Sequence, residues 1–600
     1  MRDGGIDIIA SYVFWIHHEE TEGQFDFSGN KNINKFLKVC RKLRLPFVLR
    51  LGPWVHGEAR NGGFPDWLKS KTCGAIRKDA EPYMSYVRRY LEALYNEVKD
   101  CMDVIVGIQL ENELRGGADY VKKLKEMIID IGFKTTYWTF TGWGGSDLPG
   151  SCPFGEVLCL YGGYPEAPWL GHVNSFDNCD SFIFFNRRDD SNIGIDLLKT
   201  SPKDEHSASA ANYKTPYLTC ELGGGVQPTY HRRPFISTQD VLSTAICKLG
   251  SGSNGLGYYV FHGGRNPIGK TTMQESRQTN YPNDLPMISY DFQAPIGEAG
   301  QIRERYFELS KIHKFLNLEG EKLAVMPAFF PDVTPANPSD FEVLRCAVRS
   351  NGRVGYLFVS NHYHNKKTKT LSDTVKINLP IDNTTIEIPV EIAPMSAGII
   401  PFNYTIGSEE VLWVSALPQY ENEDEIYFSK FSGIKPMICM KGDAPIPLTD
   451  KMTVGGKTIF FTPEESIPEM HTENIALASH TVSNDDSFFR HIVNYDKTLP
   501  TFAPTDEYTF KLPKDAKYLC IQAFGNIGAL YCDGALISDF YLYNDKWIVK
   551  VSNLPKESEL ILKILPLTEE DKEKIYFEFD MPTGTHTPTV TAIFDDVIYV

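Results

Sequence analysis

Short apolar runs alternate with longer amphipathic stretches from the first residues to about residue 305. Runs rich in β-branched and aromatic residues, bounded by turn formers, read as buried strands. They predict strands over IDIIASYVF (6–14), PFVLRLGPW (46–54), VIVGIQLEN (104–112), TTYWTFTGW (135–143), EVLCLYGG (156–163), PYLTCELGG (216–224) and GLGYYVFHGG (255–264). The stretch from Ala80 to Lys99 instead repeats at helical spacing, with Tyr83, Val87, Leu91, Leu94 and Val98 along one face. Strand–helix alternation of this kind builds a parallel sheet. Seven strands are one short of a (β/α)8 TIM barrel. Arg2-Asp-Gly-Gly5 reads as a helix end whose glycine feeds a strand, so the chain is expected to begin one βα unit late, with the first barrel strand missing.

After QIRERYFELSKIHKFLNL (301–318), which predicts a final helix, the period changes to two. RCAVRSNGRVGYLFVSN (345–361) reads as a hairpin around Asn-Gly, and TVKINLP followed by IEIPVEI as another. KYLCIQAFGNIGALYCDGALI (517–537) adds a strand, a glycine bend, a strand and a Cys-Asp-Gly turn. The expected organisation is a multidomain α/β barrel over 1–318, one or more all-β sandwiches over 319–480 and a jelly roll over 481–600.

Composition narrows the partners. A length of 600 residues exceeds one core, and a net charge of -17 argues against nucleic acid or anionic lipid. A neutral ligand fits better; the many Tyr, Phe and Trp suit sugars, but serve β-rich cores equally. The 12 cysteines are scattered without CxxC or Cys/His pairing, which speaks against structural zinc and for reduced, buried thiols. No run is long and apolar enough for a membrane span. MRDGGIDIIASYVFW carries no export signal. As written the chain reads as cytoplasmic; a late start leaves a secreted or periplasmic location open.

The chemistry lies where apolar strands stop at acids. VIVGIQLENE ends in Gln109, Glu111, Asn112 and Glu113; YLTCE ends in Glu221 before three glycines; GPWVHGE carries His56, Gly57 and Glu58. Burying a carboxylate is costly, and in a parallel barrel the carboxyl ends of all strands share one rim. Convergence of two carboxyl groups is what glycoside cleavage needs, one to protonate the departing oxygen and one to attack or to activate water. A salt bridge or helix cap is the simpler account of any single such Glu. His17-His18-Glu19-Glu20, taken as extended, points its side chains to opposite sides, so no metal is expected there; glycine clusters lack a phosphate-binding framework, and no cofactor is expected. Trp15, Trp54, Trp67 and Trp143 are even candidates for sugar stacking or packing. Arg232-Arg233 reads as pairing with loop carboxylates rather than with an acidic glycan.

In order along residues 4–305, IDIIASYVFWIHHEETEGQFDFSG, LRLGPWVHGEARNGGFPDWL, IQLENEL, YLTCELGGG, YYVFHGG and SYDFQAPIGEAG resemble the retaining β-galactosidases of glycoside hydrolase family 35. The resemblance implies Glu113 as general acid/base and Glu221 as nucleophile. It further implies Asn112 on the sugar's 2-hydroxyl, with Tyr12, Gly57, Glu58, Tyr259 and Tyr290 lining the terminal-sugar subsite. Glu111 and Gln109 are left as structural. Phe292 and Gln293 stand where the family usually has Tyr and Asp. The C-terminal half is similar only in plan, a sandwich followed by galactose-binding-like jelly rolls. The implied activity is release of terminal β-galactose from oligo- or polysaccharides. A related exo-glycosidase for another sugar, such as glucosamine, and a catalytically silent carbohydrate-binding protein stand beside it; retention of both glutamates favours an enzyme.

Overall fold

The computed structural model describes residues 1–114, 116–140, 156–170, 179–188, 215–463, 467–484, 488–489 and 504–600. Its first half is organised by six parallel strands that pair in chain order: β1 (Ile9–Tyr12), β2 (Phe47–Gly52), β3 (Ile105–Leu110), β4 (Thr136–Phe140), β5 (Leu158–Gly163) and β6 (Thr219–Leu222). Each lies inside a predicted strand and starts one to three residues later than predicted; β5 ends at Gly163 as predicted, and the predicted end of β4 lies outside the described residues. β2 is buried along its whole length, as expected of a parallel strand covered on both faces. The helix Tyr83–Val98 buries the predicted face. It packs with β2 and β3 in one core around Leu49, Ile108, Leu91 and Leu94.

The sheet is rolled. Laid flat, β1 and β6 would lie about 24 Å apart, five strand spacings. Instead the Tyr12 hydroxyl at the end of β1 donates to Glu221 of β6 at 3.0 Å. The predicted seventh strand is a correction: residues 255–261 join β6 only through isolated bridges, Leu218 with Gly255 and Leu222 with Tyr258. The ladder is interrupted at Gly257, whose amide donates to the Thr219 hydroxyl at 2.9 Å instead of to a backbone carbonyl, and a Cβ there would meet the Thr219 carbonyl oxygen at 2.4 Å. No eighth strand appears among the described residues. Between β1 and the seventh segment lies a cavity of about 880 Å³, lined by Ile9, Tyr258, Phe261 and Leu316 among others. Its two walls are tied by His313, which meets the Tyr258 hydroxyl at 2.9 Å and the Gly4 carbonyl at 2.6 Å. No helix of the described residues is long and apolar enough to cross a membrane.

The predicted final helix spans Glu304–Ala324. Beyond it the described residues are almost wholly β. Arg345–Ser350 and Gly355–Asn361 form the expected hairpin, with Gly352 at φ 91° in its turn, inside a seven-stranded sheet. Leu371–Leu379 pairs with Thr384–Ile392 as the second hairpin. Near the C-terminus a four-stranded and a five-stranded sheet enclose a core of Phe510, Leu519, Leu530, Trp547, Leu562 and Val590. Asp533 and Gly534, both at positive φ, make the two-residue turn between Ile527–Cys532 and Ala535–Tyr541. The described cysteines are free thiols, with Cys73 exposed; Cys152 and Trp143 lie outside the described residues.

Candidate active site

The carboxyl ends of β1, β2, β3, β5 and β6 converge on one cleft, whose walls include Tyr12, His56, Glu58, Asn112, Glu113 and Glu221. Glu221, the third residue of β6, is buried. Its Oε1 is ion-paired with Arg50 of β2 and accepts from the Tyr12 hydroxyl at 3.0 Å; its Oε2 accepts from the Tyr164 hydroxyl at 3.2 Å. Burial raises the pKa of Glu221, Arg50 opposes that shift and Glu113 adds to it, leaving it above the usual carboxylate range. The phenols of Tyr12, Tyr164, Tyr259 and Tyr290 are driven further up by burial, so all four stay protonated donors at neutral pH.

Past the end of β3 the backbone kinks. Glu111 and Glu113 both have positive φ, 56° and 48°, sparsely populated for residues with a Cβ. The kink turns successive side chains apart. Glu111 faces away from the cleft to Arg77 and Tyr120, at 2.8 and 2.9 Å. Glu113 faces in, anchored by its amide on the Phe140 carbonyl at 2.7 Å. Between them Asn112 presents Oδ1 to Tyr12, Gln109 and Arg50 at 3.0, 2.9 and 3.2 Å. Gln109 in turn accepts from Arg50 Nε at 2.7 Å.

The GPWVHGE segment supplies the third wall. His56, Gly57 and Glu58 all have positive φ. A Cβ at Gly57 would meet Phe14 at 2.8 Å, so both conformation and space call for glycine. His56 Nδ1 is bonded to Glu113 Oε2, and His56 Nε2 lies 3.6 Å from Glu275 Oε2. Burial alone would lower the pKa of His56. Glu113 and Glu275 more than offset it and hold the imidazole well above its usual value. Glu58 accepts from Gln227 Nε2 at 3.0 Å and from the Tyr290 and Tyr259 hydroxyls at 3.0 and 3.3 Å. Burial, with Glu275 and Glu221 adding and His56 opposing, pushes its carboxyl up to about 8.

The eight residues that the resemblance implies as catalytic or sugar-lining lie in this cleft or against it; Tyr290 reaches it through the Gly57 carbonyl at 2.9 Å and through Glu58. Phe292 stacks on Tyr290, ring centroids 4.2 Å apart, while Gln293 is spent on the backbone of Val226, Pro234 and Ile236. Sequence reasoning missed Arg50, Tyr164, Glu275, Gln227 and Asn283. An arginine inside the apolar run PFVLRLGPW was the one available signal; the others sit in loops whose convergence only the fold shows.

Other expectations are corrected. Residues Trp15–His18 form a helical turn rather than an extended segment, and Glu19 is taken up by Trp15 Nε1, the Gly23 amide and Arg89. Trp15 stacks on Tyr90 in the core, and Trp67 donates to the Glu19 carbonyl, so neither faces a sugar. Trp169, not proposed from the sequence, lines the cleft. Arg232 does pair with a carboxylate, Glu166 at 3.0 Å, but Arg233 binds the Asn526 side chain and the carbonyls of Asn526 and Leu542 in the C-terminal sandwich.

Residues 1–316 match glycosyl hydrolases family 35. The chain is 27% identical over 339 residues to Beta-galactosidase 6 of Oryza sativa subsp. japonica, covering 55% of this chain and 34% of that one. It is 26% identical over 335 residues to Beta-galactosidase 13 of Arabidopsis thaliana, covering 53% and 33%. The chain therefore spans about a third of the length of these curated relatives. Among solved structures, the β-galactosidase of the psychrophilic Marinomonas ef1 matches with TM-score 0.35 and 13% identity, over 55% of this chain and 58% of that one.

Proposed function

The chain belongs to glycosyl hydrolase family 35, and from that premise we propose that it is a retaining exo-glycosidase that releases terminal β-linked galactose from oligo- or polysaccharides, with Glu221 as nucleophile and Glu113 as acid/base. The observation that carries this reading is the meeting of Glu113 and Glu221, from β3 and β6, on one cleft with Asn112 and Tyr12 between them. Residues 1–318 are the catalytic barrel domain in this reading, 319–480 the sandwich and 481–600 the jelly roll.

Glu221 Oε attacks the anomeric carbon as the bond from that carbon to the leaving oxygen breaks. Arg50 and the Tyr12 and Tyr164 hydroxyls orient the carboxylate and hold its charge until it is esterified. The leaving oxygen takes its proton from the hydrogen-bonded pair of Glu113 and His56. Glu275, close behind the imidazole, keeps that pair supplied with a proton. Water then attacks the glycosyl-enzyme, Glu113 receives its proton and Glu221 is released, with net retention when the two carboxyl groups stand about 5 to 5.5 Å apart. Asn112 holds the 2-hydroxyl, and Tyr12, Gly57, Glu58, Tyr259 and Tyr290 line the sugar's pocket.

A panel of aryl β-glycosides tests both sugar and roles. The β-galactoside is expected to turn over fastest. Glu221→Gln is expected to abolish turnover on all substrates, whereas Glu113→Gln spares those with good leaving groups. Equal loss in both variants on every leaving group, or an inverted first product by NMR, would overturn the assignment.

A further inference from the structure

A second buried cluster of carboxylates and imidazole lies where three parts of the fold meet. Glu166 follows β5 by three residues, His364 follows the strand Gly355–Asn361 by three, and Glu578 comes from the C-terminal sandwich beside the short strand Tyr576–Phe577, which pairs with Arg232–Arg233. All three side chains are buried, at 0, 5 and 1% exposure. One ligand atom from each lies within 4.8 Å of the other two. His364 Nε2 stands 2.8 Å from Glu578 Oε1 and 3.9 Å from Glu166 Oε2.

We propose that Glu166, His364 and Glu578 form a structural binding site for one divalent transition-metal ion, with zinc(II) the best match.

Three observations beyond the clustering point to a cation. First, Glu166 Oε2 and Glu578 Oε2 are buried with no hydrogen-bond partner, although buried acceptors are nearly always satisfied. Second, the other nitrogen of the histidine is already committed. His364 Nδ1 bonds Asp240 Oδ1 at 3.1 Å, the arrangement in which a carboxylate fixes the tautomer and leaves Nε2 as a lone pair for a metal. Asp240 is itself fixed in a capping box with Ser237 at the start of the helix Thr238–Gly250, and also accepts from His362 Nε2 at 2.8 Å. Third, two buried carboxylates meet at one imidazole nitrogen, and among the described residues Arg232 is the only lysine or arginine ion-paired with Glu166 or Glu578.

A proton on His364 is the competing occupant. Burial lowers the pKa of this imidazole, but Asp240 and Glu578 outweigh burial and hold it well above the usual value. That proton satisfies Glu578 Oε1 and leaves both Oε2 atoms bare. A metal seated beside His364 Nε2 would have Glu166 Oε2 within reach, 3.9 Å from that nitrogen. Ligand atoms around a tetrahedral zinc are separated by about 3.3 Å, between the two distances observed here. One imidazole nitrogen with two carboxylates favours zinc or manganese over calcium, which prefers oxygen ligands alone. Scattered across more than 400 residues, the three ligands have no sequence spacing to betray them, which is why no metal was expected. Glu166 lies two residues from Tyr164, the donor to Glu221, so the ion would fix the loop that carries this contact.

The test is metal content. The full chain, grown with zinc and manganese supplied and desalted, is expected to retain about one equivalent per chain by elemental analysis, and the chelator-treated protein to regain it from ZnCl2 with a rise in Tm. Cobalt(II) in place of zinc should give visible d–d absorption. Glu578→Gln is expected to lose the bound metal, and Asp240→Asn to weaken it about 10- to 100-fold. Absence of stoichiometric metal together with no Tm response to ZnCl2 or MnCl2 would overturn the proposal, leaving the proton as sole occupant. Full retention of metal in Glu578→Gln would equally overturn it. The wild-type measurements decide even where a variant does not fold.

Discussion

Glu58 offers a sharp test of the cleft's electrostatics, because its carboxyl is pushed up to about 8 while remaining fully hydrogen-bonded. A carboxyl whose pKa is higher in the folded than in the unfolded chain contributes stability that is complete below the unfolded value. That contribution drains away as pH rises through the folded value. From 4.5 to about 8, at about 1.4 kcal/mol per pH unit, the contribution comes to about 5 kcal/mol, with about 3 kcal/mol of it gone by pH 7. Glu58→Gln copies the neutral acid: its oxygen still accepts from Gln227, and its amide donates to the tyrosine hydroxyls, which reverse their roles. The variant should therefore match the wild type near pH 4.5 and become progressively more stable than it up to about pH 8. At about 2 °C per kcal/mol the gap in Tm reaches about 10 °C at pH 9. Calorimetry of both proteins across pH 5 to 9 measures it, and infrared difference spectra at pH 7 should show a protonated-carboxyl band absent from the variant. Parallel Tm curves across that range would refute the reasoning, since they would mean that Glu58 ionises in the folded protein as it does in water.

Further outcomes follow from the same contacts. Arg50→Met leaves Glu221 as an unpaired buried charge; we expect a loss of about 3–5 kcal/mol in denaturation and collapse of kcat, with Arg50→Lys a poor rescue because one ammonium cannot reproduce the fork to Gln109, Asn112 and Glu221. Tyr12→Phe removes a donor shared by Glu221 and Asn112 and should lower kcat/KM on aryl galactosides about 10- to 100-fold with little change in Tm. Asp539→Ala strips the acceptor from the amides of Met287, Ile288 and Ser289; it should cost about 3 kcal/mol and raise KM by loosening the adjacent Tyr290, and an unchanged KM would separate the sandwich from the cleft.

Much of this was legible in the sequence because two signals agreed. Apolar strands that stop at an acid, as in IQLENE and LTCE, announce both the parallel sheet and its working rim, and the alternation after residue 340 announces hairpins through Asn-Gly and Asp-Gly. Strand starts were overdrawn by one to three residues, since a hydrophobic run does not show where the ladder begins. The seventh strand failed because the Thr219 hydroxyl takes the Gly257 amide and interrupts the ladder. Within the site, roles tied to strand ends were readable, whereas Glu275, Tyr164 and Gln227 arrive on loops, where no periodicity constrains position. His56 was noticed as part of a motif, but its coupling to Glu113 depends on three consecutive left-handed residues that composition does not reveal.

The buried seat that Asn526 and Leu542 provide for Arg233, and the three amides that Asp539 receives from residues 287–289, bind the last sandwich to loops flanking the cleft. Evolution therefore has little freedom to exchange this terminal unit. A recombinant tail of the same size and architecture would strand a guanidinium and three peptide groups in a dry interface unless it brought matching acceptors to the same points. Inheritance of the two halves as one piece is the outcome that such wiring favours.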